Sequence, residues 1–370
     1  MNGKEAKMRI QSIETFSTKE ICIVRIRTDS GEEGYGQVAP YHANITAKVL
    51  HQQMAPHVLG MHPLDIDGIV DLCIEAEHKF PGSYICRAVG GIDTALWDLK
   101  GKLEGKSVCE LLGGKHEHIR AYGSSMKRDI SPQDEADRLR KLMKTKGFTA
   151  FKIRIANNFG KNVDVWPGRT EEIVPTVRRA IGDDTALMVD ANSGYTPDKA
   201  IQVGNMLGNY HVAHFEEPCP YPEIEWTAEV AKALTIPVAG GEQDHCLAQW
   251  KRMIDMKAVD IVQPDICYLG GVSRTLRVAK MAAEAGLPCT PHAANLSMVT
   301  VFTLHLLGAI ENAGPYLEFS IEDNPWVKDL YYPALEVRDG MVEIPKGNGW
   351  GVEINQDWLR KADYHITQIH

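Results

Sequence analysis

The sequence predicts a (β/α)7β TIM-type barrel preceded by an N-terminal α+β capping domain, which the C-terminal segment completes. From residue 119 onward, short apolar runs alternate with segments of helical periodicity. Three of these runs lead to an acidic residue, and the acids recur every 26 residues (216 − 190 and 242 − 216). Before residue 118 the pattern is that of a β-meander followed by helices. Strict strand–helix alternation over this length is typical of a parallel sheet closed into a barrel.

Length and composition agree with this architecture. The chain has 370 residues, of which 44% are hydrophobic and 24% charged. This length fits a barrel of roughly 200–250 residues with an accessory domain. The net charge of −9 argues against nucleic-acid or anionic-membrane partners.

Cysteine usage and hydropathy bear on the compartment. The eight cysteines are scattered without a CxxC pair, which indicates reduced thiols. No apolar run reaches the about 20 residues of a membrane span, and the polar start at residues 1–7 does not have the pattern of a signal peptide. We therefore expect a cytoplasmic protein without membrane partners.

The N-terminal part, residues 1–117, is predicted to form the capping domain. Residues 8–38 indicate a meander, in which two apolar strands are followed by the turn signal Asp29-Ser30-Gly31-Glu32 and a returning strand. Helical periodicity follows at about 43–57, 64–78 and 86–103, and the last of these segments carries a continuous apolar stripe.

The barrel is predicted to span residues 118–324. We expect eight strands, near 119–123, 149–155, 185–190, 212–216, 236–241, 258–263, 287–291 and 316–319. Ser131-Pro132 and Thr196-Pro197 each read as an N-cap followed by proline at the first helical position. From 325 to 370 the alternation stops. There, Asp339-Gly340 between two apolar runs predicts a hairpin that returns to the capping domain.

The three equally spaced acids are Asp190, Glu216 and Glu242. Each alone is explained by a turn, a helix cap or a solvated strand end. Together they are predicted to end successive parallel strands, whose carboxyl ends converge on the face where barrel enzymes place their chemistry. Carboxylates forced together repel one another unless a cation neutralises them, and an all-oxygen set suits a hard ion such as Mg²⁺.

Further charged residues are predicted at the same ends. Lys152 and Arg154 are two apart on the second strand, so both point into the barrel, where they counter the acids or form a structural ion pair with them. Asp265 and His292 end the sixth and seventh strands. A carboxylate that holds one imidazole nitrogen raises the basicity of the other, as a general base requires. Glu318 ends the eighth strand.

With these residues placed, the chain resembles the enolase superfamily, in its mandelate racemase-like subgroup. The matching positions, on strands two through eight in order, are Lys152, Arg154, Asp190, Glu216, Glu242, Asp265, His292 and Glu318. The segments Gly90-Gly91-Ile92-Asp93-Thr94-Ala95-Leu96-Trp97-Asp98-Leu99 and Leu111-Leu112-Gly113-Gly114 resemble the family's passage into the barrel. The resemblance covers nearly the whole chain and is far more specific for the superfamily than for a substrate.

The resemblance implies one Mg²⁺ held by Asp190, Glu216 and Glu242. A substrate carboxylate would bind the ion, and a base would remove the proton from the adjacent carbon to give an enediolate. His292, oriented by Asp265, would be the base or acid. Lys152 would stabilise the developing charge, and Glu318 would hydrogen-bond a substrate oxygen. A homo-oligomer acting on a small carboxylate is the corresponding expectation.

Arg154 departs from the racemases of this subgroup, which place a lysine there as the second base. Because arginine stays protonated in proteins, two-base racemisation is disfavoured. Dehydration needs only His292, which could take the α-proton and return it to the departing β-hydroxyl. We therefore predict dehydration of an aldonate or aldarate to a 2-keto-3-deoxy acid. The alternative is an epimerase, racemase or cycloisomerase that uses the same enediolate.

Two readings from other classes compete with this one. A Zn²⁺ hydrolase on the same fold usually collects several histidines, whereas here only His214 accompanies His292 near the strand ends. A non-catalytic scaffold would have to retain all the polar strand ends without use. Four further residues are predicted to contact the substrate. Asn192 follows the third predicted barrel strand, Tyr41 and His42 lie in a capping-domain loop, and Trp166 lies in the long loop 156–169.

Overall fold

The computed structural model describes residues 8–80 and 82–369, so the polar start used to argue against a signal peptide lies outside the described residues. The strands are β1 Ile10–Ser17, β2 Cys22–Thr28, β3 Glu33–Gln37, β4 His118–Ser124, β5 Ala150–Arg154, β6 Ala186–Asp190, β7 Val212–Glu216, β8 Val238–Gly240, β9 Ile261–Val262, β10 Leu317–Ser320, β11 Tyr331–Tyr332, β12 Met341–Glu343, β13 Glu353–Ile354 and β14 Asp363–Gln368.

The helices alternate with the barrel strands and cover the N-terminal sheet. They are α1 Ala43–Val49, α2 Ala55–Val58, α3 Ile66–Ala76, α4 Ser83–Glu104, α5 Val108–Leu111, α6 Pro132–Lys146, α7 Arg169–Ile181, α8 Pro197–Gly208, α9 Ile224–Ala233, α10 Leu247–Asp255, α11 Ile266–Leu269, α12 Val272–Glu284, α13 Met298–Leu307 and α14 Gln356–Lys361. A π-helical turn, Leu50–Met54, separates α1 from α2, and a 3₁₀ turn spans Pro325–Val327. Within the described residues, no helix is both long and apolar enough to cross a membrane.

The N-terminal sheet has the order β14-β1-β2-β3. The predicted meander forms β1 to β3, and β14 pairs antiparallel with β1 from Ser12↔Gln368 to Ser17↔Asp363. The C-terminal segment therefore completes the capping sheet, as the fold prediction stated. Helix α4 packs against β3, and the two backbones approach so closely that a Cβ on Gly36 would lie 2.4 Å from the Ala95 nitrogen. Only glycine fits at this crossing.

The barrel strands are parallel and run in the order β10-β4-β5-β6-β7-β8-β9. The seventh predicted strand, 287–291, is reduced to the bridges Val262↔Cys289 and Cys289↔Ala313. Pro288 and Pro291 flank this bridge, and without an N–H neither can donate to a ladder. Seven regular strands and one bridged segment thus form the (β/α)7β barrel that was predicted.

The predicted C-terminal hairpin is wrong in its partner. A turn at Asp339-Gly340 does exist, with the bridge Arg338↔Met341, but β12 pairs antiparallel with β4 from Met341↔Arg120 to Glu343↔His118. The hairpin signal was local and could not identify the strand against which the returning segment pairs. The return to the capping sheet is made later, by β14.

Local signals explain most helix ends. The Ser131 hydroxyl accepts a hydrogen bond from the Asp134 N–H, Pro132 occupies the first turn of α6, and Gly147 ends the helix in a left-handed conformation. Thr196 is different, because its hydroxyl makes no capping bond and instead accepts from the Asn162 amide at 3.0 Å. This bond attaches the long loop 156–169 to the start of α8.

Alternation along the barrel strands separates apolar from charged side chains. On β5, Phe151 and Ile153 enter the core between barrel and outer helices, whereas Lys152 and Arg154 point into the barrel. Burying each large apolar side chain contributes about 1.5–3 kcal/mol, so this pattern fixes the register of the strand. The inward-facing charges are then left at the carboxyl ends of the strands.

Candidate active site

The three predicted acids lie at adjacent carboxyl ends of the barrel strands, a region that we call the barrel mouth. Asp190 ends β6 and lies in register with Glu216, which ends β7. Glu242 follows β8 by two residues. All three side chains are buried. Parallel pairing of β6 and β7 forces the first two carboxylates side by side, as the 26-residue interval predicted.

Lys152 is the central cation of the barrel mouth. Its Nζ contacts Glu216 Oε1, lies 3.0 Å from Glu318 Oε1 and is 4.0 Å from Asp190 Oδ2. Burial would raise the pKa of Glu216, but the Lys152 ammonium and His214 hold that pKa well below its usual range. Burial opposes the charge of Lys152 as well, yet Glu216 and Glu318 hold its pKa well above the usual value. The group is therefore a fixed positive charge.

Glu318 anchors Lys152 from β10, which is separated from β5 by β4. Its Oε1 accepts a hydrogen bond from the Ser124 hydroxyl at 2.7 Å, and its Oε2 accepts from the Ala293 N–H at 2.8 Å. Although burial favours the neutral form, Lys152 and His292 lower the pKa of Glu318 to about 2. Glu318 thus lies next to the acids, with both carboxylate oxygens bound by protein groups.

Asp265 and His292 form the predicted pair. Asp265 Oδ2 lies 2.8 Å from His292 Nδ1, while its Oδ1 accepts from the N–H groups of Cys267 and Tyr268 at the start of α11. A carboxylate can only accept, so Nδ1 carries the proton and Nε2 faces the barrel mouth. Burial would lower the pKa of His292, but Glu242, Glu318 and Asp265 raise it to about 10.

Two carboxylates remain poorly compensated. Burial, together with repulsion from Asp190 and Glu216, raises the pKa of Glu242, although the nearby His292 opposes the shift. Burial and repulsion from the same acids raise the pKa of Glu217 well above its usual value. Among the described residues, Asp190 Oδ2 and Glu217 Oε1 are buried oxygens without a hydrogen-bond partner. Such atoms are costly unless a ligand satisfies them.

Arg154 is nine-tenths buried, with its Nε 3.5 Å from Asp190 Oδ2. This is an ion pair outside hydrogen-bond geometry, and within residues 8–80 and 82–369 the Nε has no hydrogen-bond partner. Burial would lower the pKa of Arg154, but Asp190 and Glu242 raise it above its already high value. A permanent cation therefore stands on the side of the barrel mouth opposite Glu242 and His292 in strand order.

The predicted substrate-contact residues have different surroundings. Asn192 lies over the acids, where its N–H donates to Asp190 Oδ1 and its Nδ2 to Glu217 Oε2. Tyr41 is half-exposed, stacks on Trp326 at 5.5 Å and is close enough to Arg154 for that charge to act on its hydroxyl. These two residues lie at the barrel mouth.

The other two predicted residues are less central. Trp166 is partly buried, and its ring centroid lies 5.2 Å from the Arg169 guanidinium. His42 is exposed, has a left-handed backbone and precedes α1. Their contacts with substrate remain predictions.

Three functional candidates escaped the sequence reasoning. Arg128 follows β4 and donates through Nη2 to Asn192 Oδ1 at 2.8 Å. Arg169 begins α7 and donates through Nη1 to the Arg154 carbonyl at 3.0 Å. Gln263 donates to Glu216 Oε2 at 2.8 Å. Arg128 follows a predicted strand end, the signal that identified the acids, whereas nothing in the sequence places Arg169 beneath Arg154.

The donor set fits a divalent cation chemically. Asp190, Glu216 and Glu242 offer only oxygens, as Mg²⁺ prefers, and Asp190 Oδ2 is an unpartnered buried oxygen among the described residues. In the arrangement described, Lys152 holds Glu216, and Glu242 Oε2 lies 3.3 Å from His292 Nε2. Within the described part of the chain, no three carboxylate, imidazole or thiol groups converge on one point at coordinating distance.

Comparison with known proteins identifies the fold and its relatives. Residues 4–113 match the profile of the mandelate racemase / muconate lactonizing enzyme N-terminal domain, and residues 134–358 match that of the enolase C-terminal domain-like family. D-galactarolactone cycloisomerase of Agrobacterium fabrum strain C58 is 34% identical over 357 residues, covering 93% of this chain and 91% of the relative.

L-talarate/galactarate dehydratase of Salmonella typhimurium is 30% identical over 344 residues, covering 92% of this chain and 82% of the relative. A crystal structure of L-talarate/galactarate dehydratase from Salmonella typhimurium LT2, liganded with Mg and L-lyxarohydroxamate, superposes with a TM-score of 0.85 at 27% identity, covering 100% of this chain and 97% of that one. A crystal structure from Roseobacter denitrificans, provisionally described as a racemase, superposes with a TM-score of 0.96 at 56% identity, covering 98% and 100%.

Proposed function

This chain belongs to the mandelate racemase/muconate lactonizing enzyme family of the enolase superfamily, and we propose that it is a Mg²⁺-dependent dehydratase of sugar acids, acting on an aldonate or aldarate. It is an enzyme, as are its relatives. The single observation that carries the choice of dehydration is the asymmetry of the barrel mouth. An imidazole pairs with a carboxylate on one side, and an arginine that cannot take up a proton stands on the other.

Asp190, Glu216 and Glu242 would hold the Mg²⁺. When bound, the ion would neutralise the substrate carboxylate and make the proton on the adjacent carbon more acidic. Lys152 contributes a second positive charge at the same place, because its ammonium lies between Glu216 and Glu318 in a region without solvent exposure. A preorganised charge in such a buried site stabilises developing negative charge without reorganisation.

His292 would move the proton. Asp265 fixes Nδ1 as the donor, so Nε2 is the nitrogen that can accept the α-proton once the imidazole is neutral. The same Nε2 then returns the proton to the β-hydroxyl, which leaves as water while the α–β carbon bond gains the electron pair. Tautomerisation of the resulting enol gives the 2-keto-3-deoxy acid. Because this sequence uses one base, the arginine at position 154 does not interrupt it.

A second candidate is isomerisation through the same enediolate. D-galactarolactone cycloisomerase at 34% identity and the Roseobacter denitrificans protein provisionally described as a racemase support it. Cycloisomerisation also needs only one base for the α-proton. A racemase or epimerase needs a second acid on the opposite face, where Arg154 stands and the half-exposed Tyr41 is the nearby hydroxyl. We therefore rank cycloisomerisation above racemisation.

The test is a screen by proton NMR in D₂O with Mg²⁺ against aldonates, aldarates and aldarolactones. A 2-keto-3-deoxy product formed with loss of water from an open-chain aldonate or aldarate would support dehydration. Deuterium at the α-carbon without loss of water, or a new ring-opened isomer, would replace dehydration by isomerisation. A cytoplasmic location and a homo-oligomeric state remain expectations from the sequence, and gel filtration with light scattering tests the latter.

A further inference from the structure

Three arginines surround the carboxyl end of β5, and the mechanism above uses none of them. They are Arg128, in the loop between β4 and α6, Arg154, the last residue of β5, and Arg169, the first residue of α7. Arg169 is fully buried and Arg154 nearly so. We refer to these three residues as the arginine cluster. They stand beside strands β4 and β5, whereas the acids occupy β6, β7 and the end of β8.

Arg128 is held above the end of β5. Its Nη2 donates to Asn192 Oδ1 at 2.8 Å, and Asn192 follows β6. Since β5 lies between β4 and β6 in the sheet, the Arg128 side chain reaches across the strand that ends in Arg154. From below, Arg169 Nη1 donates to the Arg154 carbonyl at 3.0 Å. The cluster is therefore positioned by its neighbours and is not a set of freely moving surface side chains.

The cluster has donors without acceptors. Among the described residues, the buried nitrogens that lack a hydrogen-bond partner include Arg128 Nε, Arg154 Nε, Arg169 Nε and Arg169 Nη2. Burial and the like charge of Arg154 lower the pKa of Arg128, although Asp190 acts in the opposite direction. Buried guanidinium N–H groups without a hydrogen-bond acceptor are costly, and Asp190 lies outside hydrogen-bond geometry from Arg154 Nε. A ligand carboxylate would supply the missing acceptor.

We propose that Arg128 binds a second carboxylate of the substrate, with Arg154 adding positive charge beside it, so that the enzyme acts on sugar dicarboxylates in preference to monocarboxylates. This inference rests on the proposed function, in which the first carboxylate lies with Asp190, Glu216 and Glu242. A guanidinium presents a planar fork of N–H donors that matches a carboxylate, and charge-assisted bonds of this kind are about twice as strong as neutral ones. The terminal hydroxymethyl group of an aldonate would leave the same donors uncompensated.

Geometry favours Arg128 over Arg87, a further arginine near the barrel mouth. Arg87 of α4 lies with its guanidinium 3.7 Å from the centre of the Tyr268 ring and donates to the Pro40 carbonyl at 3.4 Å. Its positive charge is thus directed to an aromatic face and a backbone oxygen. Arg169 supports the cluster from beneath, and we assign it as a positioning residue because it contacts Arg154 and not the open side of the barrel mouth.

The experiment compares pairs of ligands that differ only at the far end. Each six-carbon aldarate and the aldonate of the same configuration are titrated calorimetrically with Mg²⁺ into proteins that all carry His292→Asn, so that the bound ligand is not turned over. Wild type in this experiment means the protein without a further change. The wild-type protein is expected to bind one aldarate about ten- to a hundredfold more tightly than its aldonate, the factor for one charged hydrogen-bonding pair. In Arg128→Gln the Kd of that aldarate should rise by about the same factor, and the Kd of the aldonate should change little.

Two further variants make the test decisive. Arg140→Gln, on the exposed side of α6, removes an arginine that pairs with the nearby Asp137, and it should change neither Kd. Arg128→Lys keeps the charge but loses the planar fork, and it replaces Arg128→Gln if that protein does not fold. It should weaken aldarate binding by about tenfold and leave aldonate binding unchanged.

Equal weakening of both ligands by Arg128→Gln would overturn the proposal, as would a wild-type protein that binds the aldonate as tightly as the aldarate. Tighter binding of a phosphorylated aldonate than of any aldarate would assign the cluster to a phosphate and overturn it as well. Because binding is measured without turnover, this result is separate from the reaction. If the enzyme binds aldarates selectively but isomerises them, the proposal for Arg128 stands and the dehydratase assignment is wrong.

Discussion

Two buried polar regions of this molecule differ in how completely their hydrogen bonds are satisfied. The junction between the capping sheet and the barrel contains Gln37, Asp93, Thr94, Asp98, His305 and Trp350. There, Asp93 accepts from the N–H groups of Val272 and Ser273 at the start of α12, and Asp98 accepts from those of Tyr35 and Trp350. No junction side chain appears among the buried unpartnered polar groups of the described residues.

At the barrel mouth, in contrast, several buried polar groups lack hydrogen-bond partners within the described residues. Asp190, Arg154 and Glu217 each keep a buried polar atom without a hydrogen-bond partner within the described residues. Like charges are packed together on both sides, with acids beside acids and arginines beside arginines. Fully satisfied buried groups fix a structure, whereas unsatisfied ones retain free energy that a ligand can recover. The comparison therefore separates residues that hold the fold from those that perform chemistry, and mutations should divide along the same line.

Among variants that keep the three proposed Mg²⁺ ligands, the largest effect is expected from His292→Asn. Removal of a general base costs about 10²–10⁴-fold in rate. The free energy of unfolding should change little, because the asparagine amide can donate to Asp265 in place of Nδ1 and Asp265 keeps its two backbone donors at the start of α11. Steady-state kinetics on the substrate found by NMR and urea unfolding measure the two quantities. A variant that keeps full turnover would remove His292 from the mechanism.

The reverse pattern is expected at the junction for Gln37→Leu. The Gln37 side chain donates to the Ser297 hydroxyl at 3.0 Å and accepts from the Met298 N–H at 3.2 Å, which connects β3 to the start of α13. Leaving these groups unpaired should cost about 1–3 kcal/mol in the free energy of unfolding. The control is Gln133→Leu on the exposed side of α6, which should change stability by less than about 0.5 kcal/mol. If Gln37→Leu unfolds at the wild-type urea midpoint, the junction does not have the structural role assigned to it.

The sequence predicted the barrel mouth better than the junction for a physical reason. Acids at strand ends can be detected in the sequence by their regular spacing, because each strand–helix unit has a similar length and each acid falls at the same point in its unit. Gln37, His305 and Trp350 are distant in sequence and belong to elements without a shared period, so only the folded chain brings them together. Even at the barrel mouth, Arg169 was missed because its contact with Arg154 depends on how the loop 156–169 folds back.

The C-terminal part shows the same limit. The turn at Asp339-Gly340 was predicted from local chemistry, but the pairing of β12 with β4 depends on which barrel strand offers a free edge there. Likewise, the apolar run 287–291 predicted a strand, yet its two prolines leave only bridges. Periodicity in the sequence therefore predicted the order of the elements. The pairing partner of each strand depended on which backbone N–H and C=O groups were available in the folded chain.

A smaller effect is expected at the junction, where His305 should make the free energy of unfolding depend on pH. His305 accepts from the Cys109 N–H at Nδ1 and donates from Nε2 to the Trp350 carbonyl, so it must be neutral. Burial lowers its pKa from 6.5 to about 4. Between about pH 6.5 and 4, His305 is protonated in the unfolded chain but neutral in the folded chain. The free energy of unfolding therefore falls by roughly 1–3 kcal/mol as the pH is lowered through this range.

The matching variant is His305→Gln, whose amide can accept and donate at the same two places without titrating. Urea unfolding between pH 4 and 7 should show a shallower loss of stability for this variant than for wild type. Parallel pH profiles would mean that His305 does not contribute the acid sensitivity.

The smallest effect is expected from Arg154→Lys. This change places a titratable amine on the side of the barrel mouth away from His292, so it should add a second acid or base. Because the amine is not positioned for the reaction, slow α-epimerisation is expected, on the order of 10²-fold below wild-type turnover. NMR in D₂O detects it as deuterium retained in both configurations of unreacted substrate. Complete absence of exchange would mean that Arg154 does not face the α-carbon.

Asp190, Glu216 and Glu242 should form a Mg²⁺ site at the barrel mouth, where Asp190 Oδ2 lacks a hydrogen-bond partner among the described residues. Calorimetric titration of Mg²⁺ tests this site most directly. Wild type should bind one Mg²⁺ per chain. Glu216→Gln should lose that binding and all turnover, while Glu14→Gln, at a buried carboxylate paired with Arg25 in the capping sheet, should retain both. Absence of Mg²⁺ binding by wild type, or undiminished binding by Glu216→Gln, would contradict the account.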